Sequence, residues 1–79
     1  MVIGYVLVST RTGVEKTVFE KLQKLSEIIE MYPLFGEYDI IAKVEAKNYN
    51  EIGRIVIHKI RSIDGVLDTK TLTAVDFLK

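Results

Sequence analysis

The sequence contains no cysteine, has a single proline, and carries no excess of charge of either sign. Without cysteine, the chain can form neither a disulfide framework nor a thiolate metal site. Eleven basic residues are matched by eleven acidic ones and are spread along the chain, which disfavours direct binding to a nucleic-acid backbone. No apolar run is long enough to cross a bilayer, and no charged-then-apolar leader opens the sequence, so we expect a cytoplasmic location.

The length of the chain limits it to one small domain. Its 79 residues are 48% hydrophobic, which is enough apolar side chain to fold a core. A short chain buries a smaller fraction of its surface than a long one does, so apolar side chains are expected to remain at the surface.

The first half of the chain alternates strand and helix signals. Residues 2–9 are rich in β-branched and aromatic side chains and run into a Ser-Thr-Arg-Thr-Gly turn, which predicts a strand. Apolar residues then recur at helical spacing, which predicts an amphipathic helix over roughly 13–25. A second strand over 28–32 ends at Pro33, which fits an edge strand or a strand terminus because proline cannot donate to a ladder. A third strand over 38–46 completes a hairpin.

The second half of the chain predicts one helix and one strand. Asn48 and Glu51 have the spacing of a capping box, which indicates a helix start. Gly65 closes this helix, since glycine readily adopts the left-handed cap conformation, and a long strand follows over 66–75. The residues of the helix that are expected to pack inward recur every three or four positions: Ile52, Val56, Ile60 and Ile63.

This order of elements predicts an α+β, ferredoxin-like βαββαβ fold, a four-stranded antiparallel sheet with two helices on one face. The first strand is apolar on both of its faces. One face carries valines, and the other carries Ile3, Tyr5 and Leu7. Because a sheet face that meets water should alternate to polar residues, the second apolar face predicts sheet-on-sheet pairing into a dimeric α/β-barrel-like assembly.

Two short signatures stand about thirty residues apart, and each is a turn that runs into a strand. In the first, Gly36-Glu37-Tyr38-Asp39, the glycine lets a ligand approach the backbone closely, neighbouring N–H groups can meet a carboxylate, and Asp39 can pair with an ammonium group. This combination suits an α-amino acid. In the second, Gly65-Val66-Leu67-Asp68-Thr69-Lys70-Thr71, the two threonine hydroxyls point the same way and can contact one bound molecule.

These signatures resemble the effector-binding domain of the leucine-responsive regulatory protein/AsnC family of transcription regulators. The resemblance spans nearly all 79 residues. It implies a non-catalytic domain that binds an amino-acid effector near an interface between subunits. The ligand-binding residues that it implies are Gly36, Tyr38, Asp39, Thr69 and Thr71.

The resemblance also implies partners and a domain organisation. We expect a homodimer that assembles into a higher oligomer, uses no cofactor, and associates with full-length regulators of the family. Those regulators carry a helix-turn-helix region before this domain, whereas the first strand here begins at Val2. We therefore expect residues 1–79 to be a single effector-binding (RAM-like) domain that modulates transcription indirectly, without direct contact to nucleic acid.

The same residues also allow other interpretations. Gly36 and Asp39 are typical of a tight turn, and the threonines are ordinary strand formers. A small dimeric α+β-barrel enzyme of monooxygenase or isomerase type would share the topology, but its only obvious proton-transfer group, His58, lies on a helix. A pure oligomerisation module would bind nothing. Since no Cys/His or Ser/His/Asp grouping is present, we predict no catalytic residue and no metal ligand.

Overall fold

A computed structural model describes residues 1–75, whose strands and helices follow the predicted βαββαβ order. The strands are β1 (Val2–Thr10), β2 (Ile28–Pro33), β3 (Ile40–Ala46) and β4 (Val66–Thr73). The helices are α1 (Glu15–Gln23) and α2 (Tyr49–Arg54), and α2 continues into a π-helical segment (Ile55–Ile60). The ferredoxin-like α+β fold predicted from the sequence is confirmed.

The strands form one antiparallel sheet in the order β2-β3-β1-β4. The two central strands, β1 and β3, are in register from Val2 opposite Ala46 to Val8 opposite Ile40. The shorter β2 lies at one edge and ends at Pro33, as the inability of proline to donate to a ladder predicts. The hairpin of β2 and β3 is also confirmed.

Helix α1 begins later than the hydrophobic pattern suggested, whereas α2 begins directly after the predicted cap. Helix α1 starts at Glu15, because Gly13 has a φ of +94° and Val14 occupies the N-cap. Helix α2 starts at Tyr49, and its N-cap is Asn48, whose side-chain oxygen accepts a hydrogen bond from the Glu51 N–H at 2.9 Å. The predicted Asn48 cap is therefore present.

The second helix differs from the prediction in its last half, which is π-helical. The Arg61 N–H donates to the Val56 carbonyl, five residues earlier, at 2.8 Å. A wider turn places residues five apart on the same side of the helix. Ile55 and Ile60 are both buried, and Ile55 joins the predicted inward stripe of Ile52, Val56 and Ile60.

The hydrophobic core lies between the helices and one face of the sheet. Buried side chains come from the alternate positions of β1 and β3 that face the helices, and from the inward sides of α1, α2 and the π-helical segment. The core residues are Val6, Val8, Val18, Leu22, Ile40, Val44, Ala46, Ile52, Ile55, Val56 and Ile60. The opposite positions on β1 are only half-buried, which leaves the second sheet face open.

Gly65 connects the end of the second helical region to β4 and also permits close packing of α1. Its φ is +102°, a conformation that residues with a side chain rarely adopt. A Cβ at this position would lie 2.9 Å from a methyl group of Val14 and 2.9 Å from one of Val18. Glycine is thus required here for the backbone conformation and for packing.

Replacing Gly65 with alanine should lower the free energy of unfolding by about 2–4 kcal/mol, the sum of left-handed strain and overpacking. Two other glycines provide matched controls. Gly13→Ala carries only the strain, since its φ is positive but nothing lies within 4 Å. Gly53→Ala lies in α2 with open space around it and should be neutral or slightly stabilising. Urea unfolding measures all three, and equal losses for Gly65→Ala and Gly13→Ala would disprove the packing constraint.

Candidate functional site

The turn between β2 and β3 carries the first three predicted site residues. Gly36 has a φ of +147°, and nothing lies within 4 Å of the position a Cβ would take. The backbone at Gly36 is therefore open to an approaching molecule. Tyr38 and Asp39 are half-buried and lead directly into β3.

Asp39 is fixed to the end of β1. Its Oδ2 atom accepts hydrogen bonds from the backbone N–H of Thr10 at 2.8 Å and from the Thr10 hydroxyl at 3.2 Å. Its own N–H donates to the Val8 carbonyl at 2.9 Å, and its carbonyl accepts from the Leu34 N–H at 2.8 Å. Because both side-chain bonds go to Oδ2, Oδ1 is the oxygen left to accept a bond from a ligand.

A groove lies beside this turn and is here called the turn groove. Its volume is about 310 Å³. Its apolar surface comes from the side of α1, the end of β2 and the start of β3, and the carboxyl-bearing Asp39 lies at its edge. The lining residues are Glu15, Lys16, Phe19, Pro33, Asp39 and Ile40. Sequence reasoning identified Asp39 alone among these, because the others come from separate elements and have no shared motif.

Thr69 and Thr71 lie on β4, away from the turn groove. They are opposite Val8 and Val6 of β1, so their side chains share one face of the sheet, the face that carries the helices. Thr69 is half-buried and Thr71 is exposed, because β4 is an edge strand. Strand β1 separates them from β3. Within one chain the structure thus brings Gly36, Tyr38 and Asp39 together and leaves the two threonines apart from them.

A second groove lies at the opposite end of the sheet, between α2, the π-helical segment and the end of β3. Its volume is about 440 Å³. Lys59 donates to the Glu27 carboxylate across it, and this bond lowers the pKa of Glu27 below its ordinary value. Acidic and basic side chains line this groove together with two apolar ones. The lining residues are Glu27, Glu45, Ala46, Glu51, Arg54, Ile55, His58 and Lys59. No motif in the sequence indicates this groove, because four separate segments contribute to its lining.

The open face of the sheet is the third surface feature. Leu7 is opposite Ile41 of β3, and Tyr5 is opposite Leu72 of β4, so each forms an apolar pair across two strands. Lysines occupy the remaining partner positions, Lys70 opposite Leu7 and Lys43 opposite Tyr5. On the edge strand, Tyr32 remains 55% exposed and its hydroxyl donates to Glu30 at 2.9 Å, which raises the pKa of the tyrosine. No helix of residues 1–75 covers this face.

Two further properties hold for the described part of the chain. It contains no cluster of three or more His, Cys, Asp and Glu side chains arranged to hold a metal ion. No helical segment within residues 1–75 combines the length and the apolar character that a bilayer crossing requires.

Comparison with known proteins identifies the family to which this chain is similar. A family model described as the Lrp/AsnC ligand binding domain matches residues 4–79. An uncharacterised HTH-type transcriptional regulator of Pyrococcus abyssi is 40% identical over 65 residues, which cover 82% of this chain and 43% of that protein. The chain thus spans less than half the length of this curated relative.

Solved structures share the fold. The crystal structure of FFRP-DM1 matches with a TM-score of 0.90 and 36% identity, covering 95% of this chain and all of that one. A transcriptional regulator of Neisseria meningitidis in complex with L-Met matches with a TM-score of 0.85, covering 99% of this chain and 52% of that one. Its identity of 21% supports similarity of fold alone.

Because Asp39 anchors the turn, Asp39→Ala should lower the free energy of unfolding by about 1–3 kcal/mol, the cost of leaving buried donors without a partner. The buried Thr10 supplies both of these donors. Asp39→Asn retains an acceptor oxygen and should lose less. Thr10→Val removes only the hydroxyl and serves as the control. Urea unfolding of the three variants measures the order of their free energies of unfolding. Equal stability of Asp39→Ala and the unsubstituted chain would contradict the anchoring role of Asp39.

Proposed function

This chain belongs to the Lrp/AsnC ligand-binding domain family, and we propose that it is a cytoplasmic, non-catalytic domain that binds an amino acid and oligomerises. The observation that carries the proposal is the open groove beside Asp39, in a turn whose backbone is accessible at Gly36. We propose that the domain modulates transcription indirectly, through assembly that depends on the ligand.

An α-amino acid matches the groups that the turn offers. The free Oδ1 of Asp39 can accept from an α-ammonium group, because Oδ2 is already bonded to Thr10. Backbone N–H groups near Gly36 can meet the α-carboxylate. The L-Met bound by the regulator from Neisseria meningitidis is a ligand of this class in a protein of the same fold.

The two threonines enter the proposed site from a neighbouring subunit. Within one chain, Thr69 and Thr71 lie two strands away from the turn. Neighbouring strands are about 4.8 Å apart, so two strand spacings separate these hydroxyls from β3 by roughly 10 Å. A ligand of amino-acid size would therefore reach both sets of residues only where subunits meet.

The open sheet face provides the first interface of the proposed assembly. Its apolar pairs, Leu7 with Ile41 and Tyr5 with Leu72, are covered by no helix within residues 1–75, and exposed apolar surface of this kind often marks an interface. Pairing of two such faces would bury Tyr5 and Leu7 of both copies. This contact forms the proposed homodimer.

The proposed mechanism is thermodynamic linkage between ligand and assembly. An effector that contacts two subunits binds only where they meet, so it shifts the oligomerisation equilibrium by mass action. Because the curated relatives are HTH-type regulators of about twice this length, we propose that full-length regulators co-assemble with the domain and carry its effect to transcription.

Leu7→Lys tests the sheet interface. A lysine at position 7, opposite Lys70 on the neighbouring strand, would have to be buried beside a like charge in a sheet-on-sheet dimer, so we expect the mass in solution to fall at least twofold. Ile57→Lys is the matched control, because Ile57 is 57% exposed on the π-helical segment, which packs against the other face of the sheet. Light scattering during size-exclusion chromatography measures the mass. An unchanged mass for Leu7→Lys would reject the interface.

Thermal melting with each of the twenty amino acids tests the ligand. At a hundred times its dissociation constant, an effector adds about 2.7 kcal/mol, which should raise the melting temperature of so small a domain by roughly 10 °C or more. We expect a selective response, and its loss in Asp39→Asn under conditions where that variant is folded. Thr17→Ala, on the exposed surface of α1, is the control. No response to any amino acid would favour an oligomerisation module instead.

A further inference from the structure

Thr10 is the one polar side chain that is buried within residues 1–75, with 7% of its surface exposed. It lies at the end of β1, where a buried hydroxyl needs a hydrogen-bond partner. That partner is Asp39, whose Oδ2 accepts from the Thr10 hydroxyl at 3.2 Å and from the Thr10 N–H at 2.8 Å. A single buried residue therefore holds the Asp39 carboxylate by two bonds.

The end of β1 also contacts the second turn signature. The pairing of β1 with β4 shifts by one residue at Thr10, which lies opposite Val66. A β-bulge of this kind redirects side chains and is frequent beside functional sites. One residue further along, the Arg11 N–H donates to the Gly65 carbonyl at 2.8 Å. The end of β1 is thus bonded to both signature segments.

Two bonds to the same oxygen fix the direction of the Asp39 carboxylate. A single bond would allow the carboxylate to swing about it, whereas the second donor restricts that motion. Oδ1, the oxygen proposed to accept from an α-ammonium group, then keeps one direction. Because a hydrogen bond weakens steeply as its angle departs from linearity, the affinity for the ammonium group depends on this direction.

We infer that Thr10 is a positioning residue of the proposed amino-acid site. It is buried and directs both of its donors to Oδ2, so it acts on the ligand through Asp39 and not by contact. The inference rests on the proposed function, because it gives Thr10 a role in recognition of the α-ammonium group at Asp39. A purely structural bond would change stability alone, whereas a positioning bond also changes the affinity for this group.

Thr10→Val tests the role of the hydroxyl, because valine keeps the shape of the side chain and the backbone N–H. We expect the dissociation constant of a bound amino acid to rise about tenfold, which corresponds to the loss of one hydrogen bond. Thr10→Ser keeps the hydroxyl and should restore most of the affinity. Isothermal titration calorimetry measures the dissociation constants, with the twenty amino acids as the probes.

Ile52→Val is the matched control for a loss of stability. Ile52 is 1% exposed on α2 and belongs to the core, so this substitution weakens packing and leaves the bonds of Asp39 intact. At a temperature where all variants are folded, its dissociation constant should equal that of the unsubstituted chain. An equal rise in Ile52→Val and Thr10→Val would overturn the inference.

A probe without the ammonium group separates positioning from a general distortion of the site. For each amino acid that binds, the matching carboxylic acid without the α-amino group keeps the side chain and the carboxylate. It offers Asp39 no donor, so its dissociation constant should be the same for the unsubstituted chain and Thr10→Val. An equal loss of affinity for both compounds would overturn the positioning role.

The same titrations distinguish failure of this inference from failure of the proposed function. If none of the twenty amino acids binds the unsubstituted chain, the proposed function is wrong, and the inference falls with it. If an amino acid binds the unsubstituted chain and Thr10→Val equally well, the proposed function stands and the inference alone is wrong.

Discussion

Helices cover only one side of the sheet, and the rest of this structure depends on that constraint. Helices α1 and α2 and the π-helical segment seal one face, where the valines of β1 meet Leu22, Ile52 and Ile60 in a continuous core. A chain of 79 residues has no further element in its described part to cover the other face. The apolar pairs that contain Tyr5 and Leu7 are therefore available for contact with another molecule.

The second important interaction is the pair of hydrogen bonds between Asp39 and Thr10. These bonds tie the β2–β3 turn to the end of the central strand β1, so the turn has a defined position relative to the sheet. The same carboxylate thus has a structural role through Oδ2 and a proposed binding role through Oδ1. A turn held in this way can present Gly36 and the Phe35 ring in fixed directions.

The two ends of the sheet offer different chemistry. At the turn end, an apolar groove is bordered by Glu15, Lys16 and Asp39, and the exposed Phe35 ring lies in the adjacent turn. At the other end, the groove beside the π-helical segment is lined by charges of both signs, and Lys59 already neutralises Glu27 across it. Ligand recognition is proposed for the turn end because exposed apolar surface and an available carboxylate oxygen occur there together.

The sequence by itself determined the order of the elements, the fold class and the face of each strand, because these follow from local periodicity and from turn residues such as Gly65 and Asn48. Periodicity alone could not reveal the π-helical segment, since a hydrogen bond shifted by one residue leaves the spacing of apolar residues in the sequence unchanged. The turn motif identified Asp39 as a candidate site residue, but it did not reveal the bond to Thr10, twenty-nine residues away. Only the tertiary structure placed Thr69 and Thr71 apart from the turn and created a groove from Lys16, Phe19, Pro33 and Ile40. The physical reason is that sequence spacing fixes direction within one element, whereas a site depends on distances between elements, which packing and strand order decide.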